Sequence, residues 1–314
     1  MTDSSYVHGY SGREATRLAD QAKTLSELLH HDTRYPAGSR ILECGCGIGA
    51  QTVFLAAGNP EAQIVSVDVS PDSLARAKAR VQAAGHRNVT FRAASVFNLP
   101  FAEQSFDHVF VCFMLEHLSE PLKALRCLWQ VLRAGRSITV IEGDHGSWFC
   151  HPQTQEAART VQCLIEIQAR LGGDALIGRR IFPLLTEAGF GEVHVSPRMV
   201  YVDDSKPELV EGFSKNTFIA MVEGVREQAL ALGLIDAATW DKGIADMYRA
   251  TEPGGTFCYT FFKGTGSKPN GGKSATASCG AGGAATRDGD EANALGSPSG
   301  NARGQFGDNR PSLR

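Results

Sequence analysis

Three glycines and one acid near the start of the chain have the types and spacing that ligand chemistry needs. In ILECGCGIGA, residues 41–50, Gly45, Gly47 and Gly49 follow an apolar run. Missing Cβ atoms allow a tight strand-to-helix turn and let a ligand approach the backbone closely. Asp68 closes the next apolar run about 20 residues on, where a carboxylate can accept both hydroxyls of an adenosine ribose. Gly45-x-Gly47-x-x-Ala50 satisfies the dinucleotide pattern G-x-G-x-x-G/A, which brings in a nicotinamide-dependent oxidoreductase. Cys44 and Cys46 are poor metal ligands, because one residue separates them and no second pair follows at zinc-site spacing. No metal is expected.

A second group of reactive side chains lies in IEGDHGSWFCHP, where Glu142, Asp144, His145 and His151 stand beside Trp148 and Phe149. His145 is the candidate general base, since imidazole titrates near neutral pH. His117, in LEHL, reads as structural. Further on, RMVYVDDSKPELVEGFSKNTFIAM (198–221) is rich in aromatic residues and methionine. Together with Trp148, its residues Arg198, Tyr201, Phe213 and Met221 are expected to wall an acceptor pocket.

These residues need a frame to hold them. Apolar runs at 39–45, 62–70, 88–95, 106–113 and 137–144 read as strands. The segments between them carry apolar residues three and four apart, as helices do. Strand–helix alternation at this pitch gives βαβ units and a parallel sheet covered on both faces. Residues 191–203 and 255–264 read as two more strands. Mostly helical stretches at 153–172 and 206–250 interrupt the rhythm and are expected to cover the crevice at the strand ends.

The 314 residues are 42% hydrophobic with a net charge of −3. That is enough for a full core, with no electrostatic footprint for nucleic acid or an anionic membrane. No run of 18 apolar residues spans a bilayer, and MTDSSYVHGY lacks the apolar stretch of a signal peptide. The eight cysteines sit mostly in apolar runs, as free thiols do in a reducing compartment. A cytoplasmic protein is expected. From Gly264 the chain has one aromatic residue, Phe306, and reads as a disordered tail, 264–314.

The same loop also reads E-x-G-x-G-x-G, with Glu43 two residues before the first glycine. Here, over roughly 38–263, the chain resembles the class I S-adenosylmethionine-dependent methyltransferases, in their small-molecule, type 11 or UbiE-like group. VDVSPDSLARAKARV resembles the second strand and helix of that family. FRAASVFNLPFAEQSFDHVFVCFMLEHL resembles its D-A-x-x-L-P-F…S-F-D-x-V region, and VLRAGRSITVIEG its L-K-P-G-G turn before the fifth strand. The last two strands resemble its closing antiparallel hairpin. The chain departs from the family at Ser95-Val96, which replace Asp-Ala, and at Ala134 and Arg136 in the turn.

The resemblance implies a Rossmann-like α/β fold: a seven-stranded, mostly parallel sheet with an antiparallel last strand and helical lid insertions. It implies S-adenosyl-L-methionine as cofactor, held by Glu43, Gly45, Gly47, Gly49, Asp68 and Val69. Ser95 and Val96 would border the adenine, and Cys112 and Phe113 the methionine end. The N-terminal segment 1–37 resembles a stretch that folds over the cofactor in one subgroup, with Tyr6, His8, Tyr10, Arg17 and Gln21 as its contacts. Arg17 would hold the methionine carboxylate through a bidentate contact. The expected activity is O-, N- or C-methylation of a small molecule of secondary metabolism, by a monomer or homodimer. The alternatives are an NAD-dependent oxidoreductase and a non-catalytic S-adenosylmethionine-binding regulator.

Overall fold

The computed structural model describes residues 12–271. A single sheet runs in the order β3-β2-β1-β4-β5-β7-β6. Its strands are β1 (Arg40–Cys44), β2 (Gln63–Asp68), β3 (Val89–Ala93), β4 (Phe106–Cys112), β5 (Leu132–His151), β6 (Gly191–Val202) and β7 (Thr256–Ser267). Only β7 is antiparallel to its neighbours, slotted between β5 and β6. Side chains alternate across the central strands. Ile41, Ile64, Phe110 and Ile141 enter one apolar cluster, while Leu42, Val67, Val109, Val111 and Val140 enter the other. Both faces are therefore buried, as parallel strands joined by crossover helices require.

Helices α1 (Gly12–His30), α2 (Thr52–Gly58), α3 (Pro71–Ala83), α4 (Pro121–Val131), α5 (Gln155–Arg170) and α6 (Ile181–Glu187) come before β6 or between the earlier strands. The start of α3 is encoded locally: Pro71 occupies the first turn and the Ser70 hydroxyl accepts the Ser73 N–H at 3.2 Å. Between β6 and β7 lie α7 (Pro207–Leu209), a π-helix (Val210–Ile219), α8 (Ala220–Glu223), α9 (Arg226–Ala231) and α10 (Ala237–Arg249). In the π-helix, Thr217 donates its hydroxyl to the Gly212 carbonyl five residues back.

Two boundaries differ from those expected. The fifth strand spans 20 residues and not eight, because β7 continues to pair with it beyond a break between Asp144 and Phe149. Hence the 145–151 stretch is strand edge, where a loop was expected. β7 reaches Ser267, past the expected start of the tail at 264, and the next residue is anchored as well. Lys268 is buried, donating to the carbonyls of Trp129 and Leu132 at 2.8 Å each and lying 3.8 Å from the Trp129 ring centroid. Residues 272–314 lie outside the described part. The 153–172 segment forms α5, which packs against α10.

Six cysteines are buried free thiols, among them Cys44 and Cys46. Cys127 is disulfide-bonded and departs from the free-thiol reading. Among the described residues there is no cluster of metal-binding side chains, and no helix is long and apolar enough to cross a membrane.

Candidate active site

The carboxyl ends of β1, β2, β4 and β5 open into a cavity of about 920 Å³. Its first wall is the turn after β1. Gly45 has φ +76°, and a Cβ there would meet the Met114 side chain at 2.6 Å. Gly49, also at φ +76°, would place a Cβ 2.9 Å from the Ala77 backbone on α3. Both positions therefore exclude a side chain on two counts, backbone handedness and space. The Gly47 N–H donates to Asp68 at 2.8 Å, and the other carboxylate oxygen of Asp68 accepts the Ser70 N–H at 2.9 Å. Asp68 thus ties the glycine turn to the end of β2, in the cavity wall.

Below this turn Glu43 is buried and accepts the Ser66 hydroxyl at 2.6 Å. Burial pushes its carboxyl up to about 7, so a cationic group entering the cavity would draw it into the charged form. The far side of the turn is set by β4. Phe113 has φ +55°, uncommon for a bulky residue. The turn after it is caught from below by the buried Glu142 carboxylate, which accepts the N–H groups of Met114 at 3.0 Å and Leu115 at 2.7 Å. Glu142 supports the wall and does not face the cavity.

Most of the expected cofactor residues lie along this one surface: Glu43, Gly45, Gly47, Asp68 and Val69, then Ser95, Val96, Cys112 and Phe113. Gly49 packs behind it against α3. Helix α1 closes the cavity with Arg17, Leu18 and Gln21, and the Arg17 guanidinium donates to Gln21 at 3.1 Å. Tyr6, His8 and Tyr10 lie outside the described residues.

The other half of the cavity is built from β5, β7 and the π-helix. His145 lines it and is only 4% exposed. Its backbone N–H donates to the Ala175 carbonyl, and its Nδ1 lies 2.7 Å from the Tyr259 hydroxyl. Its Nε2 has no protein partner. Burial holds the imidazole below its ordinary pKa, so the ring is neutral near pH 7. Next to it, Asp144 is buried and gripped by both Arg179 nitrogens, at 2.7 and 2.8 Å, which pins the strand break. His151 and Phe149 face solvent.

Phe213 and Met221 line the cavity as expected, but three other expected pocket residues do not. Trp148 packs behind the wall on Phe218, with ring centroids 5.9 Å apart and planes tilted by 37°. Tyr201 points to the outer face of β6, where it is 42% exposed. Arg198 is on the inner face but on the outermost strand, so the end of α1 covers it and it pairs with Asp32. Alternation along the edge strand β6 turns Tyr201 outward, and the outermost position of that strand keeps Arg198 from the cavity.

Glu116, Thr217, Phe218, Tyr259 and Phe261 also line the cavity and were not singled out. Tyr259 and Phe261 had a usable signal, since alternation in TFCYTFF places them on one face. Glu116 had none. It is brought to the site by the turn after β4 and held there by Gln168 of α5.

Residues 41–135 match the family model described as "Methyltransferase domain". The chain is 29% identical over 126 residues to the methyltransferase GfsG of Streptomyces halstedii, covering 40% of this chain and 45% of that one. It is 38% identical over 106 residues to a demethylmenaquinone methyltransferase of Clavibacter sepedonicus, covering 34% and 42%. The chain thus spans less than half the length of these relatives. A solved structure of a candidate methyltransferase from Bacillus halodurans C-125 shares the fold, with a TM-score of 0.50 at 16% identity over 78% of this chain and 99% of that one. The chain therefore resembles the methyltransferases over residues 41–135, the segment that holds the glycine turn and the Asp68 facing it.

Proposed function

We propose that this protein transfers a methyl group from S-adenosyl-L-methionine to a small-molecule acceptor enclosed in the cavity. One observation carries the reading: the glycine turn and Asp68 share a single cavity with His145, whose Nε2 is buried and unpartnered. The residues fit the cofactor. Asp68 would hold the ribose hydroxyls, Glu43 would face the ammonium group, Ser95 and Val96 would flank the adenine, and Arg17 of the covering helix would hold the carboxylate. The cofactor supplies a methyl group on a positively charged sulfur, which needs no acid to leave.

The chain's own work is then to align the acceptor, exclude water and remove a proton where the acceptor carries one. Alignment in an enclosed site is worth on the order of 7–11 kcal/mol in favourable cases. A positioned base adds roughly 10²–10⁴-fold, and His145 is the group placed to act as one. The enclosure by α1 and the π-helix favours a small acceptor over a macromolecule. Secondary metabolism, a cytoplasmic location and a monomer or homodimer complete the reading.

Calorimetric titration with S-adenosylmethionine, S-adenosylhomocysteine and NAD in parallel tests the proposal. Micromolar binding of the first two and none of NAD is expected. Binding of NAD alone would turn the reading into a hydride-transfer enzyme. Cofactor binding without turnover on any acceptor would leave a regulator.

A further inference from the structure

The acceptor end of the cavity has one reactive polar corner in an aromatic box. Phe113, Phe213, Phe218, Phe261 and Tyr259 surround it, with Tyr259 4.7 Å from Phe261 and 5.5 Å from Phe218 between ring centroids. The corner itself is His145, with Tyr259 on Nδ1 and no protein atom on Nε2. A buried nitrogen left without a partner costs stability unless a ligand or water completes it. The corner is thus built for a molecule that brings its own hydrogen-bonding group.

We propose that Tyr259 is a positioning residue that accepts Nδ1–H of His145, leaving Nε2 as a base for the hydroxyl of a neutral, ring-shaped acceptor of the phenol or enol class. This rests on the methyl-transfer reading and goes beyond it by naming the acceptor class and the pair that reads it. In the step, the acceptor O–H bond breaks and its proton moves to Nε2. The acceptor oxygen bonds to the methyl carbon as the carbon–sulfur bond breaks, and the sulfur keeps that electron pair. The imidazolium returns its proton to water when the site opens.

The groups facing His145 suit this traffic. Glu116 and His117 approach from the turn after β4, Arg17 from α1, and Asp144 from β5 itself. Asp144 is already neutralised by Arg179. Glu116 is therefore the carboxylate available to stabilise the imidazolium, and it lines the same cavity. Phe218 of the π-helix, 6.4 Å from the His145 ring centroid, adds no charge. A carboxylate acceptor would meet Glu116 as a like charge, and an uncharged amine would have no need of the base.

The test is binding to the full chain loaded with S-adenosylhomocysteine, read by the fluorescence of 2-naphthol, with 2-methylnaphthalene and 2-naphthylamine as matched probes. The wild type is expected to prefer 2-naphthol over 2-methylnaphthalene by about tenfold, the worth of one such hydrogen bond. That preference should vanish in His145→Leu, which has no hydrogen-bonding atom. In turnover with 2-naphthol, His145→Gln should lose about 100-fold or more in kcat. Tyr259→Phe should shift the rise of kcat/KM with pH to lower pH, because the imidazolium has lost the acceptor of its Nδ1–H.

Failure to bind S-adenosylhomocysteine would overturn the methyl-transfer reading itself. With that binding intact, a naphthol preference that is absent or survives His145→Leu would overturn the acceptor class. A preference for 2-naphthylamine would do the same. An unmoved pH profile in Tyr259→Phe would remove Tyr259 from the pair.

Discussion

The two halves of the cavity are built in different ways. The cofactor half comes from consecutive strand–turn units between Glu43 and Phe113, each turn lying at the end of the strand that precedes it. Its groups hold one another: Asp68 ties Gly47 and Ser70, and Glu142 catches the turn after Phe113. The other half, proposed to hold the acceptor, is assembled from His145 on β5, Phe213 and Phe218 on the π-helix, Tyr259 and Phe261 on β7, and Glu116 from a distant turn. Its key contact joins residues 114 positions apart, His145 and Tyr259. The first half is a local construction, set by turns that directly follow their strands. The second depends on how long insertions pack.

The comparison breaks if changes in one half are felt in the other. The largest effect is expected from Gly49→Val, which places a Cβ against the Ala77 backbone at positive φ. Strain and overpacking together should lower stability by about 3 kcal/mol, read as a shift in urea midpoint at constant slope. Asp68→Ala should weaken S-adenosylhomocysteine binding by roughly 2–3 kcal/mol, about 30- to 150-fold, because a charged partner of the ribose is lost. Binding of 2-naphthol should change far less. Unchanged cofactor affinity in Asp68→Ala would show that the ribose sits elsewhere.

A smaller effect sharpens how the covering helix joins the glycine turn. His30, at the end of α1, lies 2.7 Å from Gln51 beside that turn, and burial lowers its pKa to about 4. The unfolded chain therefore takes up this proton first, near pH 6.5. Its contribution to stability is complete above pH 6.5 and is lost as pH falls towards 4. Between pH 7 and pH 5 the loss should be about 2 kcal/mol, and it should be absent in His30→Leu. The smallest effect is expected from Tyr201→Ala on the outer face of β6. Stability should stay within about 0.5 kcal/mol and naphthol affinity within about twofold. A larger loss of affinity would return Tyr201 to the pocket from which its orientation removes it.

Legibility followed the same division. The strands from β1 to β4 and the turns after them were readable because each is specified by neighbours in sequence: an apolar run, then glycine or an acid at its end. The fifth strand was read too short because its second half exists only through pairing with β7, more than a hundred residues on. Of the expected pocket residues, Phe213 and Met221 line the cavity, whereas Trp148, Arg198 and Tyr201 lie elsewhere. Composition marks a region as apolar and aromatic, but it does not say which face each residue takes. Alternation along TFCYTFF would have placed Tyr259 and Phe261 together, whereas no local pattern marks Glu116 as part of the site.

The sequence by itself determined the doubly wound sheet, the glycine turn with its facing acid and the place of the cofactor half. Those features rest on period, turn chemistry and short spacings, which act within a few tens of residues. Only the tertiary structure decided that His145 meets Tyr259 with Nε2 left free, that the π-helix walls the cavity and that Arg198 anchors α1. Those outcomes depend on which distant surfaces bury one another, a choice made by packing the whole chain at once.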